Sequence, residues 1–138
     1  MKYRYATRDD LDVLAEWNKQ LIIDEGHRNT MTQQQLRERM AGWLEQTYQA
    51  VMFERKGTPV AYALYREDST DIYLRQFFVG REYRRQGVGH DACGLLRRQI
   101  WPSGKRLTVD VLTTNTAAVA FWRALGCQDY ALTLEILP

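Results

Sequence analysis

Apolar residues recur along this chain in two periods, and the switch between them divides it. Val13, Leu14, Trp17 and Leu21 fall at helical spacing behind Thr7-Arg8-Asp9-Asp10, a hydroxyl followed three residues on by an acid, the pattern of a helix start. A short strand at Lys2 to Ala6 precedes it. Asp24-Glu25-Gly26-His27-Arg28-Asn29 reads as a loop. Thr32-Gln33-Gln34-Gln35 is a second capping pattern, with Met31 and Leu36 placed as a hydrophobic staple and Leu36, Met40, Trp43 and Leu44 as the stripe behind it. The period then changes. Ala50 to Glu54 and Val60 to Tyr65 read as strands around the turn Arg55-Lys56-Gly57-Thr58, and Asp71 to Gly80 as a third strand rich in aromatic and β-branched residues. Val88, Ala92, Leu95, Leu96 and Ile100 return to one helical face, which Pro102 ends. Arg106 to Leu112 alternates as a strand, Asn115 to Leu125 is a helix closed by Gly126, and Ala131 to Leu137 is a last strand. The expected order is β-α-α-β-β-β-α-β-α-β. It predicts an α/β fold of the α+β type, with a central, mostly antiparallel mixed sheet and helices on both faces.

The length of 138 residues suits one domain spanning 1–138, with no repeat or linker to divide it. Nineteen Lys and Arg against 17 Asp and Glu give a net charge of +2, no basic coat, so nucleic acid is not an expected partner. Only four of those cations are lysines. The remaining fifteen are arginines, suited to planar, bidentate partners such as phosphate and carboxylate. Cys93 and Cys127 make neither a disulfide framework nor a zinc pattern. No apolar run suits a signal peptide or a membrane span. The expectation is a cytoplasmic protein with no membrane partner.

The segment Gln76 to His90 carries the chemistry: a strand, a basic turn with Arg81, Arg84 and Arg85, then Gly87-Val88-Gly89 at a helix start. The first amides of a helix lack internal acceptors, and the dipole there favours anions. Glycines at 87 and 89 let a phosphate approach bare backbone, so the segment reads as a diphosphate site. Gly87-Val88-Gly89-His90-Asp91-Ala92 also fits the GxGxxA dinucleotide pattern, with Asp110 near the usual distance for a ribose acid. The context opposes that reading. The preceding strand is third in an antiparallel series, and only one β-α-β crossover remains. No GxxxxGK[ST] loop occurs.

Arg84-Arg85-Gln86-Gly87-Val88-Gly89 matches the [QR]-x-x-G-x-[GA] motif of the GCN5-related N-acetyltransferases (GNAT). Asn115-Thr116-Ala117-Ala118-Val119-Ala120-Phe121-Trp122 followed by Leu125-Gly126 is similar to that family's second element. The element order agrees over nearly the whole chain. The resemblance implies a GNAT-like fold and transfer of an acetyl group from acetyl-CoA to a primary amine of a small molecule or peptide by direct attack. It implies that the amides of Gln86, Gly87, Val88, Gly89 and His90, with Arg84 and Arg85 beside them, hold the pyrophosphate. The strand Phe77-Phe78-Val79 would bind the thioester carbonyl and pantetheine arm, which Asn115 and Phe121 would flank. A homodimer is common in the family.

The acceptor side is less explicit. An attacking amine must lose a proton. Asp24, Glu25 and His27 are candidate bases, in a loop that lines the acceptor cleft of the family and that also places Asn29 there. Many relatives carry a glutamate on the cofactor strand; the matching position here is Tyr73, which leaves water or Glu25. Alternation places Tyr73, Arg75 and Phe77 on one face. Arg75 then points to the cleft, free for a substrate carboxylate or paired with Asp24 or Glu25. Trp122 replaces a tyrosine that often protonates the leaving thiolate, and Tyr73 is the expected substitute. Cys93 and Cys127 read as packing residues rather than nucleophiles. Two other classes stay open on sequence: a catalytically weak acyl-CoA-binding or regulatory protein of the same fold, and a nucleotide-dependent oxidoreductase.

Overall fold

In a computed structural model describing residues 1–138, the alternating stretches pair into a five-stranded sheet of order β1-β2-β3-β4-β5. The strands are β1 (Lys2–Tyr5), β2 (Tyr48–Arg55), β3 (Thr58–Glu67), β4 (Asp71–Val79) and β5 (Arg106–Val109). The first four are antiparallel and β5 joins β4 in parallel, as a crossover through a helix requires. β2 and β3 turn through Lys56 and Gly57, both at positive φ.

Helices α1 (Leu11–Glu25) and α2 (Gln33–Glu45) cover one face; α3 (Val88–Leu95) and α4 (Thr116–Ala124) cover the other. Both expected capping boxes form, at Thr7 with Asp10 and at Thr32 with Gln35. Met31 packs against the Leu36 cluster, as the staple requires. Trp17 of α1 stacks on Tyr62 and packs against Phe78, centroids 6.1 and 5.5 Å away. On the opposite face Val88, Ala92 and Leu96 pack against Val51, Ala61, Ala63, Ile72 and Leu74.

The mixed fold is as expected, with four corrections. Asp24 and Glu25, expected in a loop, close α1, which Gly26 caps at φ 71°. The helix expected from Val88 to Ile100 loses its α geometry at Leu96 and ends in a π turn. The strand expected from Arg106 to Leu112 stops at Val109. The strand expected from Ala131 to Leu137 does not form: Leu132, Leu134 and Ile136 are 78%, 86% and 99% exposed. A β-pattern needs a partner edge to become a strand. The tail is instead tethered by side chains, through Arg123 with Asp129 and Arg28 with Glu135.

Candidate active site

The site begins at an irregularity in β4. Leu64 pairs with Gln76 but Tyr65 pairs with Leu74, so Arg75 is an extra residue on the strand, a β-bulge. Its consequence is a change of parity. Ile72, Leu74, Phe77 and Val79 all pack on the α3 and α4 face, whereas Gln76 and Phe78 face α1 and α2. Tyr73 and Phe77 therefore lie on opposite faces, against the alternation expected from sequence. Arg75 and Gln76, though adjacent, both turn to the α1 and α2 side.

Just past the bulge the sheet opens. β5 pairs only with Asp71 to Leu74, so Gln76 to Val79 have β3 on one side and no strand on the other. Gly80 N–H donates to Val60 O of β3 at 2.8 Å. Strand alternation then turns the N–H of Phe78 toward β3 and those of Phe77 and Val79 into the split. These two amides point where a thioester carbonyl and an amide-bearing arm can accept them. The Phe77 ring stacks on Phe121 of α4 at 6.1 Å, and Trp122 meets both rings edge-on. Phe78 offers nothing to the split, since its ring is buried against Trp17 and its amide faces β3; the cofactor contact expected of it is corrected.

The turn after β4 leads directly into α3. Gly87 caps the helix at φ 78°, a left-handed conformation that a side chain would strain, and Arg85 before it stands at φ 61°. The first intrahelical bond runs from Asp91 N to Gly87 O at 3.0 Å, which leaves the amides of Val88, Gly89 and His90 without helical acceptors. A Cβ on Gly89 would stand 3.4 Å from the Phe121 ring and 3.7 Å from that of Phe77, so the first turn of α3 packs closely on the two rings. Asp91, an acid in this first turn, is drawn off by Arg55 at 3.4 Å.

The arginines of this turn are largely spent inside the molecule. Arg81 and Arg84 both bind Asp24, at 2.9 and 2.7 Å, and Arg84 Nε also donates to Val79 O. Burial alone would raise the Asp24 pKa. The two guanidiniums outweigh burial and hold it below the usual carboxylate range. Asp24 is thus a brace between α1 and the glycine turn, and a poor base. Arg85 is exposed with no ion pair, and Gln86 bonds back to Glu82 O.

Glu25 has the opposite environment. Burial raises its pKa and Asp24 adds to the shift, against the opposing pull of His27, whose Nε2 is 3.5 Å from the carboxylate. Asn29 accepts from Met31 N and serves the turn before α2. A cleft of about 460 Å³ opens there, lined by Gly26, His27, Arg28 and Asn29 on one side and by Leu112, Thr113, Thr114 and Glu135 on the other.

Two expected site residues take structural parts, and Cys93 packs in the core as expected. Asn115 caps α4 by accepting from Ala118 N. Tyr73 donates its hydroxyl to Asp110 at 2.9 Å, and burial together with that bond pushes its pKa up to about 12. Cys93 is buried in the α3 core, which pushes its thiol up to about 12 and keeps it from acting as a nucleophile. Sequence reasoning missed Arg39, Trp43 and Tyr48, which gather with Arg75 at the bulge; they lie far apart in the chain and form no motif.

Comparison with known proteins agrees with this fold. Among solved structures, the tetramutant of the BH1408 protein from Bacillus halodurans superposes with a TM-score of 0.75 over 100% of both chains at 18% identity. Aminoglycoside N-acetyltransferase AAC(6')-Iy in complex with CoA gives 0.76 at 16% identity, over 99% of this chain and 93% of that one. Aminoglycoside 6'-N-acetyltransferase AAC(6')-IG from Acinetobacter haemolyticus gives 0.72 at 15% identity, over 100% of this chain and 98% of that one. No curated protein matches the sequence. The family model described as acetyltransferase (GNAT) family matches residues 11–127, from the first residue of α1 to just past α4. The chain therefore belongs to the acetyltransferase (GNAT) family and is an N-acetyltransferase that uses acetyl-CoA.

Proposed function

We propose that the chain moves the acetyl group of acetyl-CoA to a primary amine of a small molecule or peptide by direct attack, with Glu25 receiving the amine's proton. The observation that carries this reading is the pair of outward amides at Phe77 and Val79, one turn of chain from the orphan amides of Val88, Gly89 and His90. Acetyl-CoA supplies the thioester; the chain supplies backbone donors at the split in the sheet and at the start of α3. The amide at Phe77 polarises the carbonyl, a contribution of a few kcal/mol by comparison with known oxyanion donors. As the N–C bond forms the C–S bond breaks, the proton passes to Glu25, and the thiolate leaves. A thiol of pKa about 8.5 is a tolerable leaving group as the anion, so Trp122 need not supply a proton. Arg85, exposed and unpaired, is the turn's remaining cation for the phosphates.

A panel of primary amines with thiol release as the readout tests this. Release that depends on an amine supports the reading; acetyl-CoA binding without release from any amine overturns it.

The same reading takes the protein as a homodimer. The unpaired tail carries apolar residues at alternate positions beside an open β5 edge, and a second copy of the chain is the partner that meets both needs. Light scattering on the full chain should give twice the chain mass, and Leu134→Asp with Ile136→Asp should give one chain mass.

A further inference from the structure

Nine of the fifteen arginines form ion pairs; Arg39, Arg66 and Arg75 do not, and they converge on one place. The guanidinium carbons of Arg39 and Arg75 lie 4.4 and 4.5 Å from the Trp43 ring centre. Arg66 and Arg75 both donate to the buried Tyr48 hydroxyl, each at 3.4 Å. Arg39 donates to Asn18 Oδ1 at 3.2 Å, and its Nε is buried without any partner. Every protein partner of the three is neutral. No carboxylate lies within ion-pair distance of the three: Glu25 sits beside His27, Asp110 accepts from Tyr73, and Glu67 pairs with Lys105.

Gathering like charges over one indole without a counterion is unfavourable, and the charge of Arg75 adds to burial in lowering the Arg39 pKa. The stacking on Trp43 and the bonds to Tyr48 hold the guanidiniums in place in spite of that repulsion. Arg75 is the bulge residue, two positions before Phe77, about 6–7 Å along the strand. An acceptor whose amine sits at the split thus brings a neighbouring group to Arg75.

We infer that this arginine and aromatic cluster binds a carboxylate carried by the acceptor, so that the preferred substrates are amino acids or peptides with a free carboxylate near the reacting amine. The inference rests on the acetyl-transfer reading above. Arginine forks match the two oxygens of a carboxylate, whereas a polyamine would place ammonium groups against unpaired guanidiniums.

The test uses amines matched except at one group: an amino acid, its carboxamide and the decarboxylated amine, with a polyamine as a fourth. The wild type should acetylate the acid with kcat/KM at least tenfold above the other three, mainly through KM. Arg75→Gln should bring the ratio of acid to carboxamide toward one, and Arg75→Lys, which keeps the charge, should restore part of it. Calorimetry with CoA alone reports separately on the reading beneath, and CoA affinity should be the same in wild type and both variants. Equal rates for acid and carboxamide in the wild type, reaction of the polyamine alone, no acetylation of any acid, or an unchanged ratio in Arg75→Gln each overturns the inference while leaving CoA binding intact.

Discussion

The bulge lies within β4 and the glycine turn follows its C-terminal end; both are rich in arginine, yet they hold their charge in opposite ways. At the turn, Arg81 and Arg84 share the one carboxylate of Asp24, and the groups left for an anion are backbone amides and the single free guanidinium of Arg85. At the bulge, Arg39, Arg66 and Arg75 have neutral partners only. A run of basic residues beside a phosphate-like motif is therefore no measure of free charge. What counts is whether the fold brings an acid to it. Here the basic turn is mainly braced, and the three unpaired guanidiniums at the bulge come from three separate elements, α2, β3 and β4.

The sharpest way to break the comparison is at the proposed base, Glu25. Glu25→Gln should lower kcat by about 10²–10⁴-fold, the usual worth of general base catalysis. The Glu25 carboxyl is raised by burial and must be ionised to take a proton. The kcat/KM of the wild type should thus rise with pH through a midpoint above the ordinary glutamate range, and that limb should be missing from the variant's profile. The backbone side comes next. Gly89→Val puts branched carbon where a single Cβ already meets Phe121 at 3.4 Å. It should weaken acetyl-CoA binding tenfold or more, about 1.4 kcal/mol, measured by calorimetry on protein shown by circular dichroism to be folded.

Asp24→Asn probes the brace. Freed Arg81 and Arg84 become available to phosphate, so CoA should bind severalfold more tightly, while stability falls by about 1 kcal/mol, in keeping with partly exposed ion pairs. The Asp24 pKa is depressed on folding, so its contribution is complete above the unfolded value, near 4, and is lost only as pH falls through the folded one. The wild type and variant should accordingly converge in stability in acid and differ at neutral pH. The smallest effect belongs to Tyr73→Phe. The hydroxyl is committed to Asp110 and lies on the face opposite Phe77, so kcat should stay within twofold of wild type. A tenfold fall would return Tyr73 to the protonation of the thiolate.

Much of the cofactor side was legible because its signals are local. Capping boxes, the glycine turn and the helix start at Val88 each depend on residues within a few positions of one another, and all formed as the sequence implied. The acceptor side was legible only in part. Glu25 was visible as an acid in a loop, but its burial was not. Asp24 and Glu25 are neighbours in sequence with opposite surroundings, one under two guanidiniums and one desolvated beside an imidazole. Arg39 and Trp43 read only as the exposed and apolar positions of an amphipathic helix.

The sequence by itself determined the order of elements through α4, their caps and turns, and the glycine turn that offers bare amides, since these follow from backbone sterics and short-range hydrogen bonds. Only the tertiary structure decided which way β4 presents its side chains. Register belongs to a pair of strands, so the extra residue at Arg75 exists only against β3, and it alone puts Tyr73 and Phe77 on opposite faces. The tail shows the same dependence from the other side. Its alternating Leu132, Leu134 and Ile136 carry a strand pattern, but hydrogen bonds to a neighbouring edge make a strand, and within this chain none is formed.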